Sequence, residues 1–197
     1  EAAYAALPVP EEESWAAARE KVRAMLVRAA AARVYDGGLD PQDLRGWHFA
    51  LTGGLLINIS PWGFDAGMTG RWAMVGDSSV SCIEVLRRVG VVLEARGLRP
   101  QSVSLLPDRD SEILGLAAAR YLGLPTVPFA PERPDTLIVA YDLNDCDGET
   151  LAALRTRTPG QILFERATNW TDPPLAAADI SGFLRQTVMT PWEAKLR

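Results

Sequence analysis

Apolar positions along this chain first follow a helical spacing and then, further on, alternate between strand-like runs and helical ones. Between Glu11 and Tyr35, the residues Trp15, Ala18, Val22, Met25, Leu26, Ala29 and Ala32 recur at helical intervals, which predicts one long amphipathic helix. Glu11 to Glu13 suit the positive end of its dipole, and Gly37 with Gly38 suits its stop. Asp40 followed by Pro41 reads as the N-cap and first position of a short helical turn. The stretches "HFALTGGLLINIS" and "RWAMVG" read as two strands, and the loop "PWGFDAGMTG" between them makes a β-hairpin with a wide tip.

From Asp77 onward helical and strand patterns take turns. "SVSCIEVLRRVGVVLEARG", "SEILGLAAARYLG" and "GETLAALRT" have helical spacing, while "SVSLLP", "PTVPF", "TLIVAY" and "QILFER" are short apolar runs bounded by turn residues. The tail from Thr168 reads as a loop with one or two short helices. Strands alternating with helices of this length predict an α/β fold, a doubly wound and mainly parallel sheet with right-handed crossovers. The expected organisation is an N-terminal helix and hairpin extension over residues 1–76, and an α/β core with a C-terminal tail over residues 77–197.

A chain of 197 residues that is 48% hydrophobic can bury a sizeable core. Its longest apolar runs fall short of the roughly 18 residues that cross a bilayer, and "EAAYAALPVPEEE" lacks the basic start of a signal peptide. The expectation is a soluble, cytoplasmic protein without a membrane partner. A net charge of −5 with no basic block leaves no electrostatic footprint for nucleic acid. Two cysteines, Cys82 and Cys146, and the single His48 cannot make a disulfide framework or a tetrahedral zinc site. His48 stands far from any nucleophile elbow and is read as structural. Basic residues are almost all Arg and Ala is abundant, which suggests a GC-rich, bacterial genome.

In a doubly wound sheet the ligand crevice lies where strands lead into helices, and helix N-termini there favour anions. Two loops qualify, "PDRDSE" at 107–112 and "DLNDCDGET" at 142–150. The second is unusually acidic. Asp142, Asn144, Asp145 and Asp147 are hard oxygen ligands at close spacing, the kind that hold Mg²⁺ or Ca²⁺. An EF-hand loop does not fit, because Gly148 falls one place late and the closing Glu is absent. The same carboxylates also suit plain capping, with Asp145 or Asp147 as N-cap of a helix beginning near Gly148 and Glu149 in its first turn. Cys146, flanked by carboxylates, is not expected to be reactive.

The succession "SVSLLPDRDSEILGLAAARYLGLPTVPF" and then "LIVAYDLNDCDGETLAALR" resembles the type I phosphoribosyltransferases, over about Val80 to Arg166. It presents a strand, a pyrophosphate loop, a helix, a strand, and then an apolar strand ending in an acidic residue and a Gly- and Thr-containing loop that opens a helix. The resemblance implies a role in nucleotide metabolism and a sugar-phosphate or nucleotide ligand. It places ligand-binding roles on Asp142, Asn144, Gly148, Thr150, Arg109 and Ser111, and Mg²⁺ on Asp142, Asp145 and Asp147. In the same comparison the loop with Trp62, Phe64 and Met68 corresponds to a hood over the base. Packing of Trp62 and Phe64 onto the N-terminal helix, or into a dimer contact, is the alternative.

Three departures bear on chemistry. Leu143 stands where the family has its second acidic residue, Asp145, Asp147 and Glu149 make the phosphate loop negative, and only "APERPD" occupies the place of the mobile lid. The pyrophosphate loop is acidic too, with Asp108, Asp110 and Glu112 around Arg109 and Ser111. The expected function is therefore a phosphoribosyltransferase-like domain acting as a non-catalytic binding or regulatory module, as a homodimer. The alternative is a divergent Mg²⁺-dependent phosphoribosyltransferase acting on a phosphorylated ribose donor.

Overall fold

In the computed structural model, which describes residues 2–6, 12–36, 39–62 and 67–193, the chain divides at Leu55 and Leu56 into two units. Among the described residues the first unit holds three helices, α1 (Ala2–Ala5), α2 (Glu13–Asp36) and α3 (Leu44–Thr52). The long helix expected from the apolar spacing is α2, though Glu11, Gly37 and Gly38, assigned to its ends, lie outside the described residues. Helix α3 takes the first part of the stretch 48–60 expected to be the hairpin's first strand, and a strand appears only in its second part, at Leu55–Leu56. Its N-cap is Asp43, whose side chain accepts from the Gly46 amide at 2.8 Å, and Gly53 ends it in a left-handed conformation at φ 85°. Asp40 instead accepts from the amides of Gln42 and Asp43 and shapes the turn before the cap. The Arg28 guanidinium of α2 donates to the carbonyls of Phe49, Ala50 and Leu51 at the end of α3.

The second unit is a seven-stranded sheet with helices α4 (Ser79–Ala95), α5 (Arg109–Leu122) and α6 (Gly148–Arg155). Its strands are β1 (Leu55–Leu56), at the junction of the units, β2 (Trp72–Gly76), β3 (Ser102–Leu105), β4 (Thr126–Pro128), β5 (Thr136–Ala140), β6 (Ile162–Asn169) and β7 (Ile180–Met189). The order across the sheet is β1-β7-β6-β5-β3-β4, with β2 also along β7. The pairings of β3 with β4, β3 with β5, β5 with β6, β6 with β7, and β2 with β7 are all parallel, in keeping with the expected α/β class.

The expected hairpin does not form. β2 runs parallel to β7, with Trp72 opposite Arg185 and Gly76 opposite Met189, while the Ile57 and Asn58 amides donate to the Ser181 and Gly182 carbonyls further back on the same strand. The tail, expected to be helical, supplies β7 itself. Its first six residues are all buried, so no polar alternation betrays a strand, and Gly182 interrupts the pattern. That glycine is required by space, since a Cβ on it would lie 2.3 Å from the Arg166 carbonyl oxygen of the neighbouring strand.

Core side chains lie on both faces of the sheet. Val85, Leu86 and Val89 of α4 and Leu114 and Ala118 of α5 pack with Val103, Leu137, Val139 and Phe164 on one face. Leu154 of α6 and Ala176 and Ala178 pack with Ile138, Ala140 and Leu163 on the other. β5 is buried at all five positions, and each large side chain there contributes on the order of 1.5 to 3 kcal/mol of transfer free energy. Among the described residues no helix is long and apolar enough to cross a membrane.

Candidate functional site

From β3 the chain passes to β4 on one side and returns to β5 on the other, so strand order reverses between β3 and β5. At such a point the loops beyond the strand ends diverge and leave a crevice. The loop after β3 and the loop after β5 are those at 107–112 and 142–150.

Asp108 is the N-cap of α5 and accepts from the Ser111 amide at 2.8 Å. Its other oxygen faces the Cys146 thiol at 3.8 Å and ties the two loops together. The Ser111 hydroxyl is fully buried and accepts from the Tyr141 amide at 2.9 Å, so it anchors the end of β5 to α5. Arg109 is more than half exposed, and its guanidinium lies 3.7 Å from the adjacent Asp110 carboxylate. Asp110 in turn accepts from the Trp192 indole at 2.7 Å, and the Trp192 ring meets Tyr141 edge-on at 5.4 Å. The segment following β7 therefore reaches back to the β3 and β5 loops.

In the second loop, Asp142 is buried, caps the 3₁₀ turn Leu143–Asp145 by accepting from the Asn144 amide, and pairs with the Arg185 guanidinium of β7. Burial lowers the Arg185 pKa. The Asn144 side chain donates to the Asp172 carbonyl at 2.8 Å. Asp147 is the N-cap of α6 and takes both the amide and the hydroxyl of Thr150, each at 2.8 Å, bonds that lower its pKa. A Cβ at Gly148 would meet open space, so packing does not demand glycine there. The Asp145 carboxyl is pushed above the usual range, first by burial and then by Asp108, Asp110 and Glu193. Burial and Asp108 push the Cys146 thiol up to about 12, which leaves it protonated and unreactive at neutral pH.

Asp142, Asp145 and Asp147 thus have different neighbours and different tasks. Among the described residues no three His, Cys, Asp or Glu side chains come together in a way that could hold a metal ion. Beside the loops lies an open cavity of about 540 Å³, lined by Leu106, Pro107, Val127, Phe129 and, at its polar edge, Glu112 and Thr150. Trp62 is exposed, and Phe64 lies outside the described residues.

Two buried charged groups did not figure among the expected site residues. Arg166 on β6 grips Asp77 with two bonds, at 2.8 and 3.1 Å, donates to the Ser81 hydroxyl at 2.6 Å, and stacks over Phe183 at 4.4 Å. The Tyr141 hydroxyl donates to the same Asp77 at 2.9 Å. Burial and the Asp77 charge push the Tyr141 phenol well above its ordinary value and the Cys82 thiol up to about 12. The neighbouring Glu165 is fully buried, accepts from the Leu143 amide at 2.9 Å and from the Thr168 hydroxyl, and has its pKa raised to about 7 by burial. The signal was present in "QILFER", where a Glu and an Arg end an apolar run that the sheet buries on both faces.

The parallel strand order and the reversal point define a doubly wound α/β domain with a strand-end crevice. No protein-family model matches the chain, and no curated protein matches it. Among solved structures the chain is similar to a purine phosphoribosyltransferase from Pyrococcus horikoshii, with a TM-score of 0.45 and 13% identity, over 60% of this chain and 93% of that one. No residue of the crevice takes its role from that likeness.

Proposed function

We propose that this chain is a phosphoribosyltransferase-like domain serving as a non-catalytic binding or regulatory module. The observation that carries the reading is the state of the two helix N-termini at the crevice. Asp108 occupies the Ser111 amide and Asp147 the Thr150 amide and hydroxyl, the donors a phosphate would need. A phosphate brought there would stand beside fixed carboxylates. Two unit charges about 4 Å apart interact by roughly 4 kcal/mol at an effective dielectric near 20. A helix N-terminus typically returns only about 0.3 to 1 kcal/mol, and at most ~2. Trp192 and Tyr141 occupy space beside the same loops, and residues 129–135 alone link β4 to β5, which is short for a closing lid.

A second reading has one observation in its favour. Asp108, Asp110 and Glu193 crowd Asp145, and a cation would relieve that repulsion. In this reading Mg²⁺ would draw Asp142, Asp145 and Asp147, which do not converge in this structure, onto one ion that recruits a phosphorylated ribose donor, with Arg109 neutralising its pyrophosphate. The melting temperature with Mg²⁺, with phosphoribosyl pyrophosphate, and with both separates the two. A ligand at one hundred times its dissociation constant stabilises the native state by about 2.7 kcal/mol, several degrees for a domain of this size. The module reading expects no shift in any arm. A rise only when both are present returns the chain to the transferases.

A further inference from the structure

Strand β7 ends at Met189, whose carbonyl still accepts from the Asp77 amide at 3.0 Å, and residues 190–193 then turn back to the loops after β3 and β5. The backbone bonds of this turn close within it. The Thr190 amide donates to the Glu193 carboxylate at 2.8 Å, and the Glu193 amide to the Thr190 carbonyl at 3.3 Å. Among the described residues, the hydrogen bond that ties the turn to the crevice comes from one side chain, the Trp192 indole donating to Asp110 at 2.7 Å. The same ring stands edge-on to Tyr141, whose side chain is fully buried. Such a turn can swing about Met189 without breaking a rung of the sheet.

Two features oppose its closed position. Thr190 is 7% exposed and its hydroxyl has no partner, and a buried polar group left unsatisfied costs free energy that hydration would return. Glu193 joins Asp108 and Asp110 among the charges that crowd Asp145, so closure adds a carboxylate to a place already negative. A cavity of about 650 Å³, lined by Gly76 and Asp77 at the end of β2 and by Thr190, Pro191 and Glu193, leaves the turn room beside it. A segment held by few contacts against opposing ones belongs to the parts of a fold that open locally while the rest stays folded. We propose that residues 190–193 are a strap latched by Trp192 across the crevice, and that its opening uncovers Tyr141 and Asp110. The closed strap bars the crevice with the protein's own chain. This role rests on the module reading, in which the crevice is the binding site.

Hydroxyl-radical footprinting of the full chain, read by mass spectrometry relative to the exposed Tyr121, tests the strap without any ligand. Trp192→Ala is expected to raise modification of Tyr141 roughly tenfold, while Phe164, fully buried on β6, stays protected. Glu193→Gln keeps an acceptor for the Thr190 amide and removes the repulsion, so it is expected to lower Tyr141 modification roughly twofold. Raising the ionic strength from about 0.01 M to about 1 M, which shortens the Debye length from about 30 to about 3 Å, should lower it likewise in the parent and leave Glu193→Gln unchanged. Tyr141 and Phe164 rising together in Trp192→Ala would make Trp192 a core residue and overturn the strap. So would Tyr141 modification that ignores both Glu193→Gln and salt, and these two arms decide alone if Trp192→Ala does not fold. Either failure leaves the module reading standing, because its melting test reads ligand binding and this one does not.

Discussion

Glu165 is buried on a central strand, and its carboxyl holds the Leu143 amide at the start of the acidic loop. Its folded pKa, about 7, lies above the ordinary carboxyl value, so the folded state binds the extra proton between the two. The contribution to stability is full below the unfolded value near 4.5 and is lost as pH rises through about 7. The span corresponds to a loss on the order of 3 kcal/mol. Chemical denaturation at pH 5 and pH 8 should show this fall in the parent, and Glu165→Gln, which keeps an acceptor for Leu143, should flatten it. The Asp77 and Arg166 pair carries a different expectation. Both side chains are 1% exposed, and removing one partner from a buried pair leaves a charge without compensation. Asp77→Ala should cost about 3 to 5 kcal/mol, read from the shift in the urea midpoint.

Elements of the core were legible where an apolar run met clear punctuation. β3, β5 and the start of β6 are short stretches beside Pro, Asp or Gly, and α5 carries its own cap at Asp108. α3 was not, because "HFALTGG" reads equally as strand, and its cap Asp43 lies three residues beyond the more conspicuous Asp40 and Pro41. β7 was hidden by burial on both faces and by Gly182. Gly182→Ala should push β6 and β7 apart, since the new methyl meets backbone rather than a side chain that can turn aside. An overpacking loss of about 1 to 3 kcal/mol or more is expected, visible as a lower melting temperature. At the helix starts, Asp147→Ala should cost about 1 kcal/mol, the loss of one cap. In the module reading no ligand response changes with it; in the transferase reading the combined Mg²⁺ and sugar-phosphate response disappears.

Across the whole chain, the two crevice loops could be placed from sequence because the order of strands and helices locates them. What surrounds them could not. Arg185 and Trp192, the partners of Asp142 and Asp110, come from a segment read as helix and loop, and only the observed β7 brings them to the crevice. The fold also gathers distant segments onto that one strand. β6 lines one side of it, and the residues around β1 and then β2 share the other, pairing positions more than a hundred residues apart. During synthesis, therefore, the stretch from Leu56 to Gly76 leaves the ribosome long before its partner exists. It must wait without a ladder while the central strands assemble, and contacts of such long sequence separation close slowly. Chains released before residue 180 would keep β6 as an open, apolar edge, and edges of that kind recruit strands from neighbouring molecules. Completion of β7 is thus the step that covers the open edge of β6.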